Sequence, residues 1–159
     1  MRYKTITLVA IFSGALIAQT ASPRPGAGSE ANEAVTLLKA IRADAEQIQS
    51  SADKLERLAK VRDTNWQNYD QQWNTIKPAQ ERIDLATQRL ERMQASLTPA
   101  ERQALNQSKR DVEAIAGATH DLWIRLGQSK IDLKAPAFNA DARSLDKAAR
   151  DLIKTTSAT

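Results

Sequence analysis

The sequence predicts an all-α protein: an antiparallel helical bundle of three long helices and a shorter C-terminal helix. Apolar or small residues recur at alternating three- and four-residue steps, the breaks between these stretches carry helix-start residues, and no alternating strand pattern occurs. The chain has 159 residues, enough for one domain with a single core. It contains no cysteine, so it must fold without disulfide bonds or a zinc–thiolate site.

The N-terminal segment 1–21 has the pattern of a secretory signal peptide. Arg2 and Lys4 form a short basic region, and an apolar stretch follows over residues 5–18. That stretch has about 14 residues, whereas a helix that spans a bilayer needs about 20, and small residues follow it as at a cleavage site. An uncleaved N-terminal anchor is the alternative, because Gln19 stands where a small residue is usual.

Composition divides the rest of the chain into two segments. The Pro- and Gly-rich segment 22–29 predicts a flexible linker, and residues 30–155 predict the helical bundle domain. Loss of the leader removes two basic residues and lowers the formal net charge from +4 to +2. The remaining basic residues are spread evenly among acidic ones, whereas a nucleic-acid-binding face needs a local surplus. We therefore expect a periplasmic or secreted protein that binds no nucleic acid and has no stable membrane span once the leader is cleaved.

A heptad seam predicts the first helix. Apolar or small residues alternate at four- and three-residue steps from Ala34 to Ala59, which keeps them on one face of a helix packed against others. The seam consists of Ala34, Leu38, Ile41, Ala45, Ile48, Ala52, Leu55 and Ala59. Thr64 and Gln67 fit a capping box that would start a new helix. One helix running on to about Ile76 is the alternative, because the seam continues in step through this break.

The second helix is predicted from Trp66 to about Leu97. Pro78 lies inside it, and because proline removes a backbone donor and crowds the preceding turn, we expect a kink near Asn74. The apolar seam resumes after the proline, so the helix is expected to continue beyond it.

The third helix has the clearest start in the sequence. Thr98 fits the N-cap position, Pro99 the first helical position and Glu101 the third, which combines two helix-start rules. The segment 128–139 is predicted to be irregular, and Asn139 is then expected to cap the shorter fourth helix.

The turn at Thr98 sets the register between the second and third helices. It places Trp73 opposite Trp123 and Ile76 opposite His120. All five aromatic residues that follow the leader gather near one end of the bundle: Trp66, Tyr69, Trp73, Trp123 and Phe138. They form the candidate ligand or partner patch. The alternative, favoured by their helical spacing, is an aromatic plug that closes the bundle, and exposure of two or more rings would reverse that preference.

The sequence favours a protein without catalytic activity, cofactor or metal. It has one histidine, His120, and no Gly-rich phosphate loop or Gly-x-Ser-x-Gly segment. A haem held by Met93 and His120 is disfavoured, because the register separates the two side chains by roughly 25 Å along the helices.

Two resemblances to known families are present. Segment 96–103, Ser-Leu-Thr-Pro-Ala-Glu-Arg-Gln, resembles the Leu-Thr-x-x-Gln motif of the Spy/CpxP-type periplasmic chaperones, with Glu101 at the glutamine position. The wider layout is similar to secreted helical proteins of unknown function from soil-type bacteria, in the helix break before Asn65, the run 73–77, the helix start at Leu97-Thr98 and the final helix. The first resemblance implies a chaperone that shields unfolded clients, and the second implies no particular activity.

These observations predict an exported, non-enzymatic helical bundle that acts through surface interactions in the cell envelope. A protein partner and self-association both remain open, because an Ala-rich seam can close within one chain or join two chains. A Spy/CpxP-like chaperone and a small hydrophobic-ligand carrier that uses the aromatic end are the alternatives.

Overall fold

The computed structural model describes residues 27–61, 65–128 and 136–157, and these form four α-helices without a strand. The helices are α1 (Ala27–Lys60), α2 (Trp66–Arg92), α3 (Pro99–Gln128) and α4 (Pro136–Ser157). They have 34, 27, 30 and 22 residues, so the predicted set of three long helices and a shorter fourth is confirmed.

The helices form an antiparallel bundle in which neighbours along the chain pack together. Helix α1 packs against both α2 and α4, α3 packs against α4, and α2 and α3 meet over a smaller area. Side-chain pairs run across these interfaces in opposite order: Asp44–Arg82 and Glu33–Arg89 between α1 and α2, and Arg125–Asp141 and Asp111–Thr155 between α3 and α4. This opposite order shows that the paired helices run antiparallel.

The core follows the heptad seam of α1. All eight predicted seam residues are buried, and Ile41, Ile48 and Leu55 have no exposed surface at all. Full burial of side chains of this size is worth about 1.5–3 kcal/mol each. The alanines between them let α2 and α4 approach closely on either side, so α1 is the helix around which the bundle is organised.

The predicted break between the first two helices is confirmed, and the alternative of one helix running to Ile76 is wrong. Helix α1 ends at Lys60 and α2 begins at Trp66. Asn65 is the N-cap, and its side-chain oxygen accepts a hydrogen bond from the backbone N–H of Gln67 at 3.2 Å. The N-cap is therefore Asn65 and not the predicted Thr64, which lies outside the described residues.

Helix α2 ends at Arg92, so its predicted extension to Leu97 is wrong. The N–H of Met93 bonds to the carbonyl oxygen of Leu90 at 3.1 Å, and this tighter i to i−3 pattern ends the helix. Thr98 precedes a proline and is the N-cap of the antiparallel α3, so residues 93–97 must form the turn that reverses the chain before it. Leu97 nevertheless stays buried in the turn.

The capping box at the start of α3 is confirmed. The backbone N–H of Thr98 donates to the Glu101 carboxylate at 2.7 Å, and the N–H of Glu101 donates to the Thr98 hydroxyl at 3.2 Å. Two backbone donors that a helix start would leave unpaired are thereby satisfied.

Helix α4 begins at Pro136, so the prediction that Asn139 caps it is wrong. Proline suits the first position of a helix, because its fixed backbone angle is helical and its missing N–H has no partner there anyway. The earlier start places Phe138 in the first turn, with none of its surface exposed.

Helix α1 also begins earlier than expected, at Ala27, so the last part of the predicted linker 22–29 is helical. Glu30 lies in the first turn, where a negative charge favours a helix start. The predicted signal peptide 1–21 lies outside the described residues. Among the helices that the structure does describe, none combines the length and apolar character that a membrane crossing requires.

Candidate functional site

The register prediction for α2 and α3 is confirmed by a stacked pair of indole rings. The ring centroids of Trp73 and Trp123 lie 5.0 Å apart, and the ring planes are inclined by 25°. Trp73 is 8% exposed, whereas Trp123 is 53% exposed. Because Trp73 covers one face of the Trp123 ring, the exposed surface of Trp123 lies on its other face and edges.

A groove of about 210 Å³ lies beside this pair, between α2 and α3. Helix α2 contributes Trp73, Lys77 and Gln80. Helix α3 contributes Ala116, Thr119, His120 and Trp123. We call this site the tryptophan groove, since the two indole rings form its apolar part.

The polar groups of the tryptophan groove differ in how well they are satisfied. Thr119 is 3% exposed, and its hydroxyl has no hydrogen-bond partner among the described residues. Gln80 is hydrogen-bonded to Asp84 one turn further along α2. Burial raises the pKa of Asp84, the bond from Gln80 opposes this effect, and the neighbouring charge of Glu81 adds to it.

A second aromatic pair lies in the core and not in the groove. Tyr69 of α2 and Phe138 of α4 meet edge to face, with ring centroids 5.5 Å apart and an interplanar angle of 80°. They are 2% and 0% exposed, so this pair packs the bundle interior. Tyr69 and Phe138 are thus the two aromatic residues that fit the predicted aromatic plug.

Trp66 lies on the same face of α2 as Trp73, because seven residues separate them. It is 45% exposed. With Trp123, two of the five rings are therefore exposed. By the criterion stated above, two exposed rings reverse the preference for an aromatic plug: that interpretation is wrong for Trp66 and Trp123, and of the five rings only the core pair Tyr69 and Phe138 fits it.

Sequence reasoning missed Lys77, Gln80 and Thr119. Their spacing carries the signal that was needed: Lys77 follows Trp73 by one turn, and Thr119 precedes Trp123 by one turn, so each lies near its indole. His120 is exposed and lines the same groove. The spacing does not reveal which of these polar side chains finds a partner, because that depends on how closely α2 and α3 pack.

Two other grooves have fewer side chains suited to ligand binding or catalysis. One of about 280 Å³ lies at the turn between α1 and α2, with Val61 among its lining residues. Another lies on the outer face of α3, where its described lining is Pro99 and side chains of arginine, glutamine and asparagine. Neither has an aromatic ring among its described lining residues. Within the described ranges, no three histidine, aspartate or glutamate side chains are grouped so that they could hold a metal ion.

Comparison with known proteins found no match to the chain among family models, curated proteins or solved structures. The tryptophan groove must therefore be interpreted from its own geometry.

Proposed function

We propose that the protein is an exported, non-enzymatic helical bundle that acts through surface interactions in the cell envelope, with the tryptophan groove as its binding face. The observation that carries this proposal is the half-exposed indole of Trp123, held in a fixed stack on the nearly buried Trp73. Tryptophan is enriched among the residues that dominate binding energy at interfaces, above all where a rigid neighbour holds it in place.

The groove suits binding better than turnover. Nucleophilic catalysis needs a hydroxyl joined by a hydrogen bond to a base, and Thr119 and His120 both line the groove. The Thr119 hydroxyl makes no such bond within the described residues, so His120 does not activate it in this arrangement. The groove thus offers a flat apolar surface and a few polar groups, which is the usual make-up of a binding site.

Export is supported by the sequence alone. The basic start, the apolar stretch over residues 5–18 and the small residues that follow are typical of a secretory leader. Fractionation of cells that produce the full chain tests this part of the proposal. We expect a shortened form in the periplasm or medium, and a full-length form retained in the cytoplasm would overturn it.

Site-specific photo-crosslinking in intact cells tests the binding face. A photoreactive phenylalanine analogue replaces Trp123 in one variant and Leu85 in another, because Leu85 is also a large apolar residue and is 64% exposed on α2. We expect a discrete adduct from position 123 and none from position 85. Equal adducts from both positions, or none from position 123, would contradict the proposal.

A chaperone function is the second candidate. It is favoured by the exposed apolar side chains Trp66, Trp123 and Ile124, which an unfolded client could contact. An aggregation assay with a denatured client distinguishes the two functions. Protection at equimolar protein that is lost in Trp123→Ala would favour the chaperone over a dedicated partner.

A further inference from the structure

The tryptophan groove has a flat, preset apolar surface of limited size. Trp123 is fixed against Trp73, so a ring that stacks on its open face does not have to order a mobile side chain first. The groove holds about 210 Å³, below the roughly 300–1,000 Å³ of sites that take drug-sized molecules. A site of this size has room for one ring or two fused rings.

The charges around the groove favour a negative ligand. Lys77 and His120 line it, and no carboxylate is among its described lining residues. In the described part of the chain Lys77 forms no ion pair, whereas Lys60, Lys109 and Lys147 each pair with an acidic side chain. An ammonium beside an indole pair therefore remains available to an anion.

The unpartnered hydroxyl of Thr119 points to the same kind of ligand. Thr119 is almost fully buried and lines the groove, yet its hydroxyl has no partner among the described residues. Leaving a buried hydroxyl without a hydrogen bond is unfavourable, so such a group in a native site calls for an explanation. The Thr119 oxygen has almost no exposed surface, so a ligand oxygen in the groove accepts a hydrogen bond from it once the Thr119 side chain turns toward the groove.

From these three observations we propose that the tryptophan groove binds a planar aromatic ring that carries a carboxylate. The ring stacks on the open face of Trp123, and the carboxylate pairs with Lys77 and, once the Thr119 side chain turns toward the groove, accepts a hydrogen bond from its hydroxyl. The inference rests on the proposed function, because it specifies the chemistry recognised by the same binding face. The ligand is either a free aromatic acid or the aromatic C-terminal residue of a polypeptide, since both present a ring next to a carboxylate.

Calorimetric titration of the mature chain with 2-naphthoate, naphthalene-2-carboxamide and acetate tests whether both the ring and the carboxylate are recognised. We expect 2-naphthoate to bind about tenfold more tightly than the carboxamide, as the loss of one charge-assisted contact implies, and acetate to give no signal. Equal affinity for the carboxylate and the carboxamide would overturn the role of the charge. Equal binding of acetate and naphthoate would overturn the role of the ring.

Two lysine variants test whether the carboxylate binds in the tryptophan groove. Lys77→Gln is expected to weaken 2-naphthoate about tenfold and to leave the carboxamide unchanged. Lys39→Gln is the matched control, because Lys39 is an exposed lysine of α1 outside the groove, and it should change neither affinity. The exposed position of Lys77 keeps the fold intact in this variant. Equal effects of the two lysine variants would place the anion elsewhere and overturn the proposal.

Two peptides that end in phenylalanine, one with a free and one with an amidated C-terminus, distinguish the two sources. Binding of the free-acid peptide as tightly as 2-naphthoate indicates a polypeptide end, and binding of 2-naphthoate alone indicates a free acid. If neither binds while the adduct at position 123 persists, this inference fails and the proposed function stands. If the adduct is also absent, the proposed function fails with it.

Discussion

The interfaces of α1 and the interface between α2 and α3 differ in area, polarity and pairing. Helix α1 packs broadly on α2 and α4 through a seam of aliphatic side chains. Ion pairs connect it to its neighbours: Asp44–Arg82 at 2.6 Å, Glu33–Arg89 at 2.5 Å and Glu56–Arg143 at 3.0 Å. The α2–α3 interface is smaller and contains the stacked indoles and the pair Glu91–Lys109.

Unsatisfied polar groups distinguish the two regions further. The buried hydroxyls of Thr87 on α2 and of Ser108 and Thr119 on α3 have no hydrogen-bond partner among the described residues, and neither does the amide oxygen of Asn139 on α4, whereas no such atom occurs on the described part of α1. A core built for stability alone would replace these hydroxyls with methyl groups. The difference indicates that α1 supplies the stability of the bundle and that the α2–α3 side gives up some of it to form a site.

Matched leucine truncations should produce the largest difference between the regions. Leu55 of α1 and Leu105 of α3 are 0% and 1% exposed, and Leu105 lies one turn before the Lys109 that pairs with α2. We expect Leu55→Ala to lose about 4–5 kcal/mol of the free energy of unfolding and Leu105→Ala about 2–3 kcal/mol, because the smaller interface relaxes more easily around a cavity. Urea denaturation measures both, and equal losses would contradict the comparison.

Removal of an unpartnered hydroxyl should have a smaller, stabilising effect. We expect Thr87→Val to raise the free energy of unfolding by about 1 kcal/mol, because a buried group without a hydrogen bond is replaced by a methyl group. Thr156→Val is the control, since the Thr156 hydroxyl donates to the Leu152 carbonyl at 2.8 Å, and it should lose about 1 kcal/mol. Thermal unfolding measures both variants. A shift of the two unfolding midpoints in the same direction would contradict this account.

The smallest expected effects concern two acidic side chains whose pKa values move in opposite directions. Hydrogen bonds from Lys60 and then Arg143 lower the pKa of Glu56, whereas burial raises the pKa of Asp84. The Glu56 carboxylate therefore adds stability above its ordinary pKa of 4.5, and this contribution is lost as the pH falls through its lowered value. Asp84 adds stability below its ordinary pKa of 3.8, and this contribution is lost as the pH rises through its raised value.

Unfolding at neutral and acidic pH separates the two effects. At neutral pH, Glu56→Gln should be less stable than the original chain, and Asp84→Asn should be more stable. Both differences should shrink as the pH falls, that of Asp84→Asn as the pH passes down through the raised pKa of Asp84 and that of Glu56→Gln below 4.5, through the lowered pKa of Glu56. A loss of stability in Asp84→Asn at neutral pH would contradict the placement of its carboxyl in a poorly solvated position.

The sequence predicts the α1 side of the molecule more completely than the α2–α3 side. The heptad seam identifies every buried hydrophobic residue from Ala34 to Ala59, because their burial follows from which face of the helix is apolar, and it misses only the buried Ser51. The same spacing places Trp66 and Trp73 on one face of α2, but it does not show that Trp66 is 45% exposed and Trp73 only 8%. Exposure at the end of a bundle depends on where the neighbouring helix stops.

At two helix ends, a nearby proline outweighs the pattern on which the sequence prediction was based. The pattern extends α2 to Leu97 because that residue stays in step with the seam, whereas the proline after Thr98 forces the chain out of the helix first. Asn139 is a good cap in isolation, but Pro136 starts the helix three residues earlier. The spacing places the site residue Thr119 near Trp123, but it does not show that the Thr119 hydroxyl lacks a partner, because that depends on how closely the helices pack.

The central claim is that Trp123 serves binding and contributes little to folding, and its truncation tests this most directly. The free energy of unfolding of Trp123→Ala is compared with that of Phe138→Ala, which removes a fully buried ring. We predict a loss of about 3–5 kcal/mol for Phe138→Ala and a clearly smaller loss for Trp123→Ala, because only about half of the Trp123 side chain is buried and its stack on Trp73 adds about 0.5–1.5 kcal/mol. A loss in Trp123→Ala as large as that in Phe138→Ala would show that Trp123 is part of the plug and would contradict the assignment of the tryptophan groove as a binding face.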